Sequence, residues 1–197
     1  MNALALSVAL FASGCLVSQF DPLQQDGGST AKSPMNIAPE MERLTHALAG
    51  EWSTEDIYEP SAQLPKGGRG HSRESFRIGP ARQSLIEEYH SDGDAGKSWG
   101  IGIIWWDRSA REFRVTWCDS SVPDEGCQSS SQHGAWNGDA FEITNKHEVS
   151  GKTVFEKEVW TEIARNTFTQ TLYAGDAPET LKPFLTIKAK RIGASMH

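Results

Sequence analysis

Histidines and strand-borne carboxylates are the side chains of this chain best suited to acid–base chemistry or metal binding. The six histidines, His46, His71, His90, His133, His147 and His197, form no H-E-x-x-H or other tight ligand pair, and no G-x-S-x-G nucleophile elbow occurs. Gly96-Lys97-Ser98 imitates the end of a phosphate loop. Ser91 stands where that loop needs its first glycine, and the context reads as a hairpin rather than a strand running into a helix. Asp92-Gly93-Asp94 lacks the remaining oxygen ligands of a calcium loop, and two cysteines without a nearby His pair do not complete a zinc set. The sequence therefore predicts no metal and no cofactor. His133 stands out because it lies beside Trp136 on a predicted strand, where an inward imidazole would titrate near neutral pH.

Glu74, Glu87, Glu88, Glu156 and Glu158 also fall inside predicted strands. Burying a carboxylate is costly unless it is paired, so an inward Glu close to Arg73 or Arg77 would suit a polar anchor for a ligand. Glu156-Lys157-Glu158 has two readings: an outward face of simple cross-strand pairs, or a strand that turns Glu158 inward. The seven tryptophans supply large amphipathic side chains that favour cores and pockets over open surface. Together these residues suggest a site for a small apolar or amphipathic molecule, lined by Trp105, Trp117, Trp136 and Trp160 and anchored by His133 or Glu158. With 26 acidic against 19 basic side chains, a net charge of -7 argues against nucleic acid as a partner.

The elements that must position these residues follow from the pattern along the chain. Ala3 to Ala12 is an apolar run followed by small residues and Cys15. It is too short for a spanning helix and reads as a secretory signal over 1–15. Ala12-Ser13-Gly14-Cys15 also resembles a bacterial lipobox, which would make Cys15 a membrane tether. The protein is then expected to be exported, whether periplasmic, membrane-anchored or secreted. Residues 16–38, rich in Gln, Gly, Ser, Asp and Pro, read as a disordered tether, leaving 39–197 as a single domain. Pro39 to Ala49 has the spacing of an amphipathic helix, with Met41, Leu44, Ala47 and Leu48 on one face.

Beyond Gly50 the period changes to two. Phe113, Val115 and Trp117, then Phe168, Gln170 and Leu172, then Leu185, Ile187 and Ala189 alternate with polar residues. Ser84 to His90, Trp99 to Trp106, Ala140 to Thr144 and Thr153 to Ile163 read as further strands, broken by turns of which Asn137-Gly138 is the sharpest. Eight to ten such strands without intervening helices make an antiparallel meander. Closing it into a barrel removes the exposed edges, and a two-sheet sandwich is the alternative. Cys118 and Cys127 flank a turn-rich loop, as a bridge suited to an oxidising compartment or as two free thiols.

Two stretches carry a family resemblance. Leu44-x-x-x-Leu48-x-Gly50-x-Trp52 resembles the start of the first strand in lipocalin-like (calycin) proteins, and Arg191 is the natural partner to stack on Trp52. Gly100-Ile-Gly102-Ile-Ile-Trp-Trp106-Asp107, Phe113-Arg-Val-Thr-Trp117-Cys-Asp119, Gly134-Ala-Trp136 and Asn137-Gly-Asp139 resemble the core of the DUF1579-type bacterial family of unknown function. Trp105 and Trp106 replace the Gly and Tyr of its pattern. The resemblance spans Pro39 to Ile192 and implies an all-β, antiparallel lipocalin-like (calycin) β-barrel with a short N-terminal helix. It implies no catalytic residues. Binding of a small ligand in the barrel is the leading expectation. The alternatives are an enzyme pairing His133 with an inward carboxylate, and a ligand-free structural module of the envelope. The oligomeric state is left open.

Overall fold

The computed structural model describes residues 36–120, 127–149 and 151–192. The expected signal over 1–15, Cys15 and almost all of the tether lie outside these residues, as does His197. The helix α1 (Pro39–Leu48) begins with Pro in its first turn and places Glu40 and Glu42 there, where acidic side chains complement the helix dipole. It buries Met41, Leu44 and Leu48 completely, the face its spacing predicts. It ends one residue before the predicted Ala49 because Gly50 has already turned into the first strand with φ +140°, a conformation that favours glycine.

Ten strands follow: β1 (Gly50–Tyr58), β2 (Gly68–Ile78), β3 (Ser84–Gly93), β4 (Gly96–Asp107), β5 (Glu112–Asp119), β6 (Cys127–Asn137), β7 (Ala140–Val149), β8 (Lys152–Thr161), β9 (Thr167–Gly175) and β10 (Lys182–Arg191). Each pairs antiparallel with the next, and β1 pairs with β10, so the sheet closes into a barrel rather than a sandwich. Asn137-Gly138 forms the tight β6–β7 turn, with Gly138 at φ +60°. Cys118 and Cys127 are directly opposite on β5 and β6 and are bridged.

In an up-and-down meander alternate connections lie at opposite ends. The end reached by the β2–β3, β4–β5, β6–β7 and β8–β9 turns is the one α1 covers. Arg43 donates to the Gly138 carbonyl at 2.6 Å, and Arg108 donates to that of Asn36. Arg191 reaches from β10 to the Ala49 carbonyl at 2.5 Å, through the space that a Cβ on Gly50 would fill. Its guanidinium lies 3.9 Å over the Trp52 ring, the stacking the resemblance implied, and Arg43 covers Trp136 in the same way at 3.8 Å.

Beneath these two arginines lies an aromatic layer. Trp52 packs edge-on against Phe168 at 4.6 Å, and Phe141 touches Phe113, Trp136 and Trp160 at 5.1, 5.2 and 5.6 Å. Burying each such large side chain contributes about 1.5–3 kcal/mol, so this half of the barrel is a packed core sealed by α1.

Candidate functional site in the barrel interior

Register fixes what the interior holds. Alternate residues of each strand point inward, and the paired rows continue around the barrel, with register shifts between Pro183 and Leu185 and between Val115 and Trp117. Asp56 is opposite Ile187, Ile187 opposite Gln170, Leu172 opposite Glu158, and Glu158 opposite Ile143. On the other side Trp52 is opposite Glu74, Glu74 opposite Tyr89, and Glu87 opposite Gly102. Moving away from α1, the interior changes from aromatic to polar. Thr54, Asp56, Ser72, Glu74, Glu87, Gln132 and Gln170 are all buried. Farther out, inward residues become partly exposed: Tyr89, Trp117, Glu156, Glu158 and Leu172. Toward the end opposite the helix the inward positions are thus partly exposed rather than buried.

Asp56 is fully satisfied by hydroxyls. Thr54 Oγ1 donates to it at 2.6 Å, Ser72 Oγ at 2.5 Å and Tyr89 OH at 3.3 Å. Glu74 is the opposite case. It is 1% exposed, and neither of its carboxyl oxygens has a hydrogen-bond partner. Gln170 is 4% exposed and gives its amide N–H to Glu158 Oε2 at 3.1 Å, which leaves its own carbonyl oxygen without a donor. The orphaned donors, Trp136 Nε1 and Trp160 Nε1, belong to the aromatic layer.

Burial, with the Asp56 and Glu158 charges added, pushes the Glu74 carboxyl up to about 8. Burial and the Glu156 charge push Glu158 up to about 7, against the lowering effect of the Gln170 bond. Glu87 is driven well above the ordinary range by burial and by Glu74 and Glu158. The phenols of Tyr58 and Tyr89 are raised chiefly by burial as well, with Asp56 adding to both. Of these groups Glu74 and Glu158 are the ones held near neutral pH.

The expected site residues divide by strand parity. Trp117, Glu158 and Trp160 point into the barrel: Trp117 near the mouth, its Nε1 donating to Asp119 at 2.9 Å, and Trp160 on the boundary of the aromatic layer. Trp136 also points inward, but at the helix end under Arg43. Trp105 faces outward across from Arg114. His133 is outward too, its Nδ1 3.0 Å from Arg114 Nη1 and 3.1 Å from Glu112 Oε2. Neither Trp105 nor His133 lines the interior, because the residues next to them, Trp106 and Gln132, take the inward positions.

The outward reading of Glu156-Lys157-Glu158 is corrected in the same way. Only Lys157 faces out, 2.8 Å from Glu142, while both glutamates face in. Arg73 and Arg77 are on the outer wall, where Arg77 pairs with Glu88, so neither neutralises an inward Glu. Asp56, Tyr89 and Gln170 were not singled out as site residues. The alternation Trp52-x-Thr54-x-Asp56 held the signal for the first of them. Outside the barrel, an open groove of about 530 Å³ runs over Ser53, His71, Arg73, His90 and Lys97, where Lys97 pairs with Asp92 at 3.0 Å.

No family model and no curated protein matches the sequence. The fold is similar to that of the S-type phycobiliprotein lyase CPES from Guillardia theta, with a TM-score of 0.50 and 9% identity over 78% of this chain and 93% of that one. It is also similar to Rv2717c from M. tuberculosis, with a TM-score of 0.54 and 13% identity over 80% of this chain and all (100%) of that one. At such identities the likeness is one of fold, a lipocalin-like antiparallel barrel.

Proposed function

We propose that this protein is an exported, lipocalin-like barrel that binds a small amphipathic molecule through the end opposite the helix. The observation that carries the reading is the contrast between the two halves of the interior. The helix end is packed with buried aromatics, whereas Tyr89, Trp117, Glu158 and Leu172 point inward and still meet solvent. A pocket with aromatic walls and a few placed polar groups is the usual form of a small-molecule site. The Cys118–Cys127 bridge supports an oxidising compartment, in keeping with the apolar segment ahead of Cys15. The Gly100-x-Gly102 and Trp117-x-Asp119 pattern supports grouping the chain with DUF1579-type proteins. Native mass spectrometry of protein purified from its own host is the test. A reproducible added mass, released on denaturation, is expected. A clean apo mass in repeated gentle preparations overturns the reading.

One observation favours acid–base catalysis as a second reading. His147 Nδ1 and Glu156 Oε2 lie 3.5 Å apart on inward positions near the mouth, with the Asn145 amide 3.3 Å from the imidazole and 3.2 Å from the same oxygen. This pair, rather than His133, is where such chemistry would reside.

A further inference from the structure

The inward-facing ionisable groups between the aromatic layer and the mouth are almost all acidic. Asp56 comes from β1, Glu74 from β2, Glu87 from β3, Asp119 from β5, and Glu156 and Glu158 from β8. Among the described side chains the basic groups on this face are His147 near the mouth and, at its exposed rim, Lys152 of β8 and Lys182 opposite Ala174. Acidity alone would not define a ligand. The hydrogen-bond inventory adds what charge cannot: Glu74 Oε1 and Oε2 and Gln170 Oε1 are buried acceptors without donors. A buried acceptor left unpaired costs about 1–3 kcal/mol, and three in one layer call for a group that donates several hydrogen bonds. Among the described residues no three His, Cys, Asp or Glu side chains converge to hold a metal ion.

Resting on the binding function proposed above, we infer that the barrel's occupant is a protonated organic amine. Its ammonium group sits against Glu158, Glu74 and the Gln170 carbonyl, and its apolar body lies toward Trp117 and Leu172. An ammonium has three donors and no acceptor, which matches the orphaned set. Glu156 and then Glu158, both partly exposed, are the acidic groups of β8 that a ligand meets on the way to Glu74. The phenol and indole faces of Tyr89 and Trp117, 6.4 Å apart, add cation–π attraction along the route.

Binding also displaces protons. Glu74, held up to about 8, faces Asp56 from β1, Glu87 and Tyr89 from β3, and Glu158 from β8. None of these groups is a cation, so an arriving ammonium supplies the opposite charge that drives the layer to ionise.

The experiment compares three probes of one chain length: octylammonium, 1-octanol and octanoate. Each is titrated into the full-length protein by calorimetry at pH 7, in two buffers of different ionisation enthalpy. Octylammonium is expected to bind at least tenfold more tightly than octanol, with release of up to one proton, and octanoate to bind most weakly. Glu158→Gln and Glu74→Gln are each expected to weaken octylammonium tenfold or more while changing octanol binding less than twofold. If octanol or octanoate binds as well as octylammonium, or no proton is released, the amine is overturned and the binding barrel stands. If no probe binds, both the amine and the binding function are overturned.

Discussion

Trp117 shows how single residues set the shape of the interior. Its indole lies flat against the inner wall only because β4 carries glycine at the two facing positions. A Cβ on Gly100 would sit 2.2 Å from Trp117 Cζ2, and one on Gly102 would sit 2.9 Å from Cε3. The G-x-G pattern is thus a bed for an aromatic ring, not a phosphate or turn motif. Gly100→Ala is expected to push the indole into the half of the barrel away from the helix and to cost about 1–3 kcal/mol of stability, as overpacking does. Urea unfolding reads the cost, and near-ultraviolet circular dichroism reads the displaced ring. An unchanged aromatic spectrum together with wild-type stability would show that Trp117 does not rest on this wall.

At the scale of elements, what could be read from the sequence depended on the inner face of each strand. β5, β9 and β10 alternate visibly because Phe113, Val115, Phe168, Leu185 and Ile187 are apolar and inward. β2 has no such signal, since its inward residues are Gly70, Ser72, Glu74 and Phe76, and three of the four are not apolar. The strand that carries the buried, unpartnered Glu74 is thus the one hydrophobic alternation cannot reveal. β8 reads as a strand with two possible facings, since Glu156 and Glu158 look like surface residues until the closed register turns them inward. The β5–β6 pair depends on a covalent tie instead. The bridge Cys118–Cys127 spans a sequence separation of 9 and holds the two strands across residues 121–126. Closing a loop of that length stabilises by about 2–3 kcal/mol through the unfolded chain. Replacing both cysteines by serine should lower the urea midpoint accordingly and leave the barrel's far-ultraviolet spectrum intact. A midpoint equal to wild type would mean that strand pairing alone sets the register there.

For the whole molecule, the interior carboxyls tie stability to pH. Glu74 at about 8 and Glu158 at about 7 in the folded chain, with Glu87 also raised, compare with an ordinary value of 4.5. Between about 4.5 and 8 the folded state keeps protons that the unfolded chain has released. Stability from these groups is therefore complete below the unfolded value and is lost as pH rises through 7 and 8. Asp107, Glu142 and Asp176 have lowered values and act in the opposite sense at acid pH, but they are exposed or only partly buried and count for little. Unfolding free energy should thus fall between pH 5.5 and 8.5 by an amount on the order of a few kcal/mol. The net charge of -7 offers a competing cause, because general repulsion also grows with pH. Glu74→Gln separates the two. It fixes the neutral form at one buried position and barely alters the surface charge, so it should flatten the profile over this interval. Parallel profiles for the variant and wild type would assign the pH dependence to the surface or to other groups and remove Glu74 from the account. Octylammonium should act on the same balance from the other side. It favours the ionised carboxyls in the folded state, so the stability it adds should be greater at pH 8 than at pH 5.5.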